Sequence, residues 1–326
     1  MKVGIIIENF GGFPETGRGA RACIELAMEA EALGFDSVWV TDHIALPKIN
    51  KSAYPHNSSG VFPYSWKQDI YEPLMLMAAL AQATERVEIG VSVLVIPYRH
   101  PLMTAKMLAT ADQLSCGRVI LGAGVGWLRD EFKALSLPEE YYHRRGAVTM
   151  DYIRAMQAAW TGEEEVSYSG EFVEYQDMGV RPQPIRKPHL PVWIGGKGKR
   201  ALRRTVELGD GYLAISVNAQ TLATETVNLR QLAEQEGRDP DSIAVAEIGR
   251  IVMQPNASMA SKKSGVDGLW IEGSSQEVLE GLGEFAYAGL DHIVAGIGYT
   301  RQTSFNATVE ALQQFSSEVL PEAHNL

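Results

Sequence analysis

The sequence predicts an α/β protein folded as a (β/α)8 barrel, and three observations carry that prediction. Short apolar runs alternate with helical patterns along the chain, the order that gives parallel strands joined by right-handed crossovers. Counting those runs gives eight strands, the number that closes such a barrel. One unit, Pro191 to Arg204, passes from the apolar Val192–Trp193–Ile194 through Gly195–Gly196–Lys197–Gly198–Lys199 into a helical pattern at Ala201–Leu202. A strand, a glycine-rich turn and a helix start make an anion site, because backbone N–H groups converge there and the helix terminus favours negative charge. An open doubly wound sheet is the competing arrangement of the same elements, and a structural turn the competing reading of the glycines.

The first strand is the continuous apolar run Val3 to Ile7, followed by a turn-rich loop over residues 8 to 16 and a helix from Arg18 to Leu33 that Gly34 ends. Ser37 to Thr41 is the second strand. Pro73 opens a helix to Thr84, Val87 to Val95 is the third strand, and Leu102 to Ser115 the next helix. Arg118 to Gly124 is the fourth strand, followed by a loop containing Trp127 and a helix from Arg145 to Trp160. In the second half, Val192–Ile194, Tyr212–Ile215, Ile243–Met253 and His292–Ala295 are strands. Helices lie between them up to Leu208, near Leu222–Glu236 and near Gln276–Ala288, with a last one near Phe305–Leu320.

Two segments break the rhythm. Residues 42 to 71 lack periodicity, and a loop of that length inside a compact domain is functional or disordered. Its Tyr54, Phe62, Tyr64 and Trp66 argue against disorder. Residues 162 to 189 hold Val166–Tyr168 and Phe172–Tyr175 around Ser169–Gly170, a hairpin signal. It reads as an insertion, so residues 1–326 are expected to form a single barrel domain with long loops at its C-terminal face.

Composition narrows the partners. With 45% hydrophobic and 21% charged residues the chain resembles ordinary soluble enzymes. A net charge of −11 without a basic stripe excludes nucleic acid as an expected partner, and makes the basic run from Lys197 to Arg204 conspicuous. Two cysteines, Cys23 and Cys116, both in helix-like segments, give no disulfide framework and suit a reducing cytoplasm. No run spans a bilayer, so no membrane association is expected. Cys/His metal spacings and the H-E-x-x-H and G-x-S-x-G motifs are missing, which predicts no metal site.

In a barrel of this kind, polar residues at strand C-terminal ends read as catalytic. Asp42–His43 directly follows the second strand and opens the longest loop; His43 suits an acid/base role, with Asp42 orienting or capping. A turn aspartate beside a surface histidine is the plainer alternative. Ser92–Val93 in the third strand reads as core from spacing alone. Gly122–Ala123–Gly124–Val125–Gly126–Trp127 fails the dinucleotide fingerprint, since Trp127 takes the third glycine's place. Its glycines leave room for a flat ligand or kink the barrel. Gly195 and Gly196 with Lys197 and Lys199 form the anion cradle, which lacks the Walker pattern because Arg200 follows Lys199. Asp130 and Glu131 are further acid/base candidates, neither assigned. An anion cradle with small residues at strand ends and no evident nucleophile suits a cofactor that carries the reaction itself.

The stretches GFDSVWVTDHIALP, EPLMLMAALAQATERVEIGVSVLVIPYRHP, LSCGRVILGAGVGWLRDEF and RPQPIRKPHLPVWIGG, followed by ELGDGY, resemble the luciferase-like flavin and deazaflavin oxidoreductase superfamily. The pattern is most similar to the branch that uses the deazaflavin coenzyme F420. That resemblance implies a (β/α)8 barrel and hydride transfer to or from a small organic substrate. It places His43, after Asp42, near the reacting ring, and Ser92–Val93 at a non-proline cis peptide behind it. It also implies Gly126 and Trp127 beside the ring's substrate face, and Gly195 and Gly196 as the amides that hold the cofactor's phosphate. Lys197 and Lys199 suit a tail with several negative charges. Ser136 stands where many relatives have Gly, and Glu72 where Asp is usual before Pro73. An FMN-dependent monooxygenase and a non-catalytic flavin or deazaflavin binder are the alternatives. The resemblance also implies a homodimer.

Overall fold

A computed structural model describes residues 1–57, 59–254, 269–298 and 303–326 of the chain. The first half runs β1 (Lys2–Ile6), α1 (Ala20–Ala32), β2 (Ser37–Val40), α2 (Pro73–Ala83), β3 (Glu88–Val95), α3 (Pro101–Leu114) and β4 (Val119–Gly124). Then come α4 (Arg129–Ala134), α5 (Glu139–His143), α6 (Arg145–Thr161), β5 (Val166–Ser169) and β6 (Glu174–Met178). The second half runs β7 (Val192–Gly196), α7 (Lys199–Leu208), β8 (Gly211–Ile215), α8 (Ala219–Gln235), β9 (Ala244–Met253) and β10 (Leu269–Gly273). It ends with α9 (Ser275–Tyr287), β11 (His292–Gly298), α10 (Phe305–Glu318) and α11 (Leu320–Ala323).

Strands β1, β2, β3, β4, β7, β8, β9 and β11 pair in parallel in that order, and β11 returns to β1 to close the barrel. Parallel strands buried on both faces read as unbroken apolar runs, and all four residues of β2, Ser37–Val40, are buried. Inside the barrel a layer forms from Trp39, Ile120, Trp193, Leu213, Ala246 and Val294. Trp39 fits because a Cβ at Gly90 would overlap its indole. The indole N–H donates to Ser37 Oγ at 2.7 Å, and Ser37 Oγ lies 2.7 Å from His292 Nε2. Burial pushes His292 down to about 4, so it sits as a neutral ring among apolar neighbours.

Three elements depart from the sequence reading. The segment after Trp127 folds into the short helices α4 and α5, whose lengths give no full apolar period. Strand β10 was not anticipated; it pairs with the far half of β9, from Gly249 to Met253, above the half that pairs with β8. Cys116 lies not in a helix but in the turn after α3, at φ 56°. The anticipated hairpin is present as β5 and β6, antiparallel, with its second strand shifted to begin at Glu174. Among the described residues no helix is long and apolar enough to cross a membrane.

Candidate active site

The C-terminal ends of the parallel strands share one face, and the predicted residues gather there. Asp42 follows β2 with its side chain fully buried. Its carboxylate accepts from Val95 N at 2.9 Å and from both terminal nitrogens of Arg99 at 2.8 and 2.9 Å. Arg99 also donates to Glu72 at 2.8 Å, which gives the glutamate before Pro73 a purpose. Both oxygens of Asp42 are thus engaged in tying the end of β2 to the turn after β3. The side chain braces the mouth from behind, and His43 alone of the pair enters it.

His43 Nδ1 lies 2.6 Å from Glu131 Oε2. The same carboxylate accepts from Tyr98 Oη at 2.9 Å, while its other oxygen accepts from Ile44 N at 2.6 Å and Ala45 N at 3.1 Å. Glu131 is fully buried, so four donors compensate one desolvated charge. Burial, together with that carboxylate, pushes the Tyr98 hydroxyl far above its ordinary range and keeps it protonated as a donor. A carboxylate on Nδ1 selects the tautomer with its proton there, leaving Nε2 as the free ring nitrogen. Asp130, its neighbour in sequence, is only half-buried. Sequence reasoning named both acids without separating them, and only the fold does so.

Around His43 stands a wall of rings. Phe10, Phe62 and Trp127 have centroids 5.4, 5.1 and 6.0 Å from the imidazole. Tyr54 meets Phe62 at 5.1 Å and Trp127 at 5.2 Å, and Tyr64 meets Phe10 at 4.7 Å. The aperiodic loop of residues 42 to 71 is therefore ordered by aromatic edge contacts. On the far side of that loop His56 lies 3.5 Å from Ser216 Oγ, after β8. Burial, with Lys197 nearby, holds its ring down to about 4.

The peptide between Ser92 and Val93 is cis, at the position the resemblance implied. It coincides with a register shift between β3 and β4. Val93 then fills the space beside two glycines: a Cβ on Gly124 would overlap it, and one on Gly195 would stand 2.6 Å from its Cγ1. Ser92 Oγ is buried and has no hydrogen-bond partner among the described residues. Gly126 has φ 77°, and a Cβ there would press on Val95 at 2.7 Å. So Ser92, Val93, Gly124, Gly126 and Gly195 form one close-packed floor, with an orphaned hydroxyl in it.

The turn after β7 is built differently from the sequence picture. Gly196 (φ 138°) and Gly198 (φ 74°) carry the backbone into α7. Gly198 N donates to Glu225 Oε1 at 2.6 Å, and Tyr212 Oη donates to Glu225 Oε2 at 2.5 Å. An internal carboxylate from α8 therefore already satisfies one of the amides at this helix start. Lys197 and Lys199 are exposed. A cleft of about 360 Å³ opens beside them, lined by polar side chains including Gln220, Thr221, Thr224 and Asn228. The next turn has a matching feature, with Val217 N donating to the buried Glu247 at 3.1 Å. Among the described residues no cluster of His, Cys, Asp and Glu could hold a metal ion.

A family model described as luciferase-like monooxygenase matches residues 1–264. The chain belongs to that family. An F420-dependent glucose-6-phosphate dehydrogenase of Amycolatopsis mediterranei is 30% identical over 235 residues, covering 72% of this chain and 64% of the relative. An FMNH2-dependent dimethylsulfone monooxygenase of Pseudomonas putida is 28% identical over 167 residues, covering 51% of this chain and 46% of that enzyme. This chain thus spans less than two thirds of the length of either. Among solved structures, an F420-dependent secondary alcohol dehydrogenase in complex with an F420–acetone adduct superposes with TM-score 0.77 at 18% identity over 98% of both chains. A long-chain alkane monooxygenase gives TM-score 0.77 at 16% identity, covering all of this chain and 91% of its own. These likenesses establish the barrel. Proteins named for F420 and for FMNH2 both stand among the relatives.

Proposed function

We propose that the protein is an F420-dependent oxidoreductase that transfers a hydride between the deazaflavin and a small organic substrate. The observation that carries this reading is His43, fixed through Nδ1 by Glu131 with Nε2 left free at an aromatic-walled mouth. The close-packed floor of Ser92, Val93, Gly124, Gly126 and Gly195 fits a flat ring, since the glycines let Val93 and Val95 pack tightly behind it and the buried Ser92 Oγ lacks a partner among the described residues. Gly195 and Gly196 would take the phosphate through backbone amides, with Lys197 and Lys199 attracting the charged tail at longer range. Trp127 would flank the substrate.

When bound, the deazaflavin supplies the two-electron carrier that exchanges the hydride. His43 Nε2 handles the accompanying proton: an alcohol that gives up a hydride from carbon releases its hydroxyl proton to Nε2 and becomes a carbonyl. In the reverse direction the imidazolium returns that proton to the carbonyl oxygen. Tyr54, Phe62 and Trp127 exclude water from this exchange. The FMN-dependent alternative rests on the dimethylsulfone monooxygenase relative.

Titrating purified protein separately with F420 and with FMN, read by fluorescence quenching, separates the two; saturation with FMN alone would end the F420 reading. His43→Ala is expected to lower turnover by about 10²–10⁴-fold while leaving the dissociation constant for F420 nearly unchanged. Unchanged turnover would remove His43 from the reaction and favour a non-catalytic binder.

A further inference from the structure

The loop of residues 42 to 71 has two sides of different chemistry. Its inner side carries Phe62 and Tyr64 of the aromatic wall, with Phe62 against His43 itself. Exposure alternates along this stretch: Val61 and Pro63 are exposed, while Phe62 and Tyr64 are half-buried. The outer side collects what a water-facing loop ordinarily avoids. Ile49 is 71% exposed, Val61 64% and Trp66 47%. Lys48 and Lys67 lie over the Trp66 ring, at 5.9 and 5.7 Å from its centroid. That contact joins the start of the loop to its end, and makes Lys48–Ile49 and Trp66–Lys67 one cluster.

From His43 to Gln68 the sequence has three lysines, Lys48, Lys51 and Lys67, and no acidic residue, in a chain of net charge −11. The acids that bound this stretch are Asp42, buried and paired with Arg99, and the exposed Asp69. None of the three lysines makes an ion pair among the described residues. A basic, apolar-tipped cover on an acidic protein fits an anionic partner. The kind of cation decides which one. Protein interfaces favour arginine and deplete lysine, and this stretch has no arginine. Tryptophan flanked by lysines is instead the pairing that anchors proteins at a lipid surface, where the ring sits at headgroup level and the ammonium groups meet lipid phosphates. The acidic remainder of the chain does not oppose this, since charges more than about 10 Å away are screened at ~0.1 M salt.

We propose that this cluster of Lys48, Ile49, Trp66 and Lys67 docks the protein on an anionic lipid surface. Such docking needs no spanning helix, because a loop enters only the headgroup region. It therefore departs from the expectation of no membrane association, which follows from the lack of a spanning run. Docking through the outer side of the loop sets the mouth, which the inner side lines, beside that surface. It depends neither on the cofactor nor on the reaction.

Cosedimentation is measured with phosphatidylcholine vesicles, with and without phosphatidylserine, for the wild type, Lys48→Gln, Lys67→Gln, Trp66→Ser and Trp66→Phe. Arg203→Gln, which removes an exposed cation on α7, is the control, and circular dichroism verifies that each variant folds. The wild type is expected to bind only the vesicles that contain phosphatidylserine, and to leave them at high salt. Each lysine change is expected to weaken partitioning about fivefold, Trp66→Ser at least as much, and Arg203→Gln not at all. Brominated lipid should quench the tryptophan fluorescence of the bound wild type, and not that of bound Trp66→Phe. A wild type that ignores phosphatidylserine, binds neutral vesicles equally, or binds without quenching overturns the proposal. So does an equal loss in Arg203→Gln. Soluble polyglutamate is titrated alongside. A response to it with the same dependence on the variants, while vesicles draw none, assigns the surface to an acidic chain and ends the lipid reading.

Discussion

The two sides of the barrel mouth are charged in opposite ways. At the exits of β2 and β3 every charge has an internal partner: Asp42 with Arg99, Arg99 with Glu72, and Glu131 with His43, Tyr98 and two amides. Around β7 the pattern inverts. Lys197, Lys199 and Arg204 carry no ion pair among the described residues, and the carboxylates present, Glu225 and Glu247, are spent on backbone amides. The first side is a finished device, whose geometry exists before any ligand arrives. The second leaves its cations without an internal partner among the described residues. Preorganised dipoles suit the place where a proton moves, whereas unpaired cations suit the place where an anion docks.

Breaking the paired side should have the largest effect. Arg99→Met leaves the Asp42 carboxylate fully buried with Val95 N as its remaining donor. Stranding a buried charge costs about 3–5 kcal/mol, so urea denaturation should show a loss of that order. Arg203→Met, on the exposed face of α7, should stay within about 0.5 kcal/mol of the wild type. Equal stabilities for the two variants would erase the contrast between the sides.

Glu131→Gln tests the same side more finely. The amide oxygen can still accept from Ile44 and Ala45, but the amide nitrogen offers His43 Nδ1 a donor where it had an acceptor. The ring is then driven to the other tautomer, with its proton on Nε2. The expected loss of turnover is at least about tenfold, equivalent to about 1.4 kcal/mol in the barrier, with F420 affinity unchanged. An NMR signature of the imidazole nitrogens should show the tautomer reversed. Full activity with the original tautomer would leave Glu131 a purely structural residue.

These expectations also show what the sequence made legible. The barrel could be read because parallel strands such as Val192–Ile194 are uniformly apolar, and Asp42–His43 because it directly ends a strand. Glu131 could not be singled out: its partner His43 is 88 positions away, and nothing local distinguishes it from Asp130. Arg99 looked like part of a turn, and its pairing with Asp42 spans 57 positions. Tyr54, Phe62 and Tyr64 of the aromatic wall come from a loop without periodicity, where edge contacts replace the repeat that makes helices and strands visible. Arg204 sat in a conspicuous basic run, but its isolation from carboxylates is a property of the fold. Pattern reveals backbone direction; pairing reveals which side chains do chemistry.

The smallest effect probes the binding side, at Glu247. Its side chain is fully buried, one oxygen accepts from Val217 N, and the other has no partner among the described residues. Burial pushes its carboxyl well above the usual range, with neighbouring Glu225 adding to the shift. The folded chain therefore holds a proton that the unfolded chain releases above about 4.5. Between that value and its raised folded value, the unfolded state binds fewer protons, and this residue's contribution to stability falls as pH rises. Glu247→Gln keeps the carbonyl acceptor for Val217 and cannot ionise, so it escapes this penalty. Denaturation at pH 4, where both states of the wild type are largely protonated, should give nearly equal stabilities. At pH 8 the variant should be the more stable. A difference that is constant across this range would show that Glu247 titrates alike in both states, and that the β8–β9 edge is paired as fully as the side that carries His43.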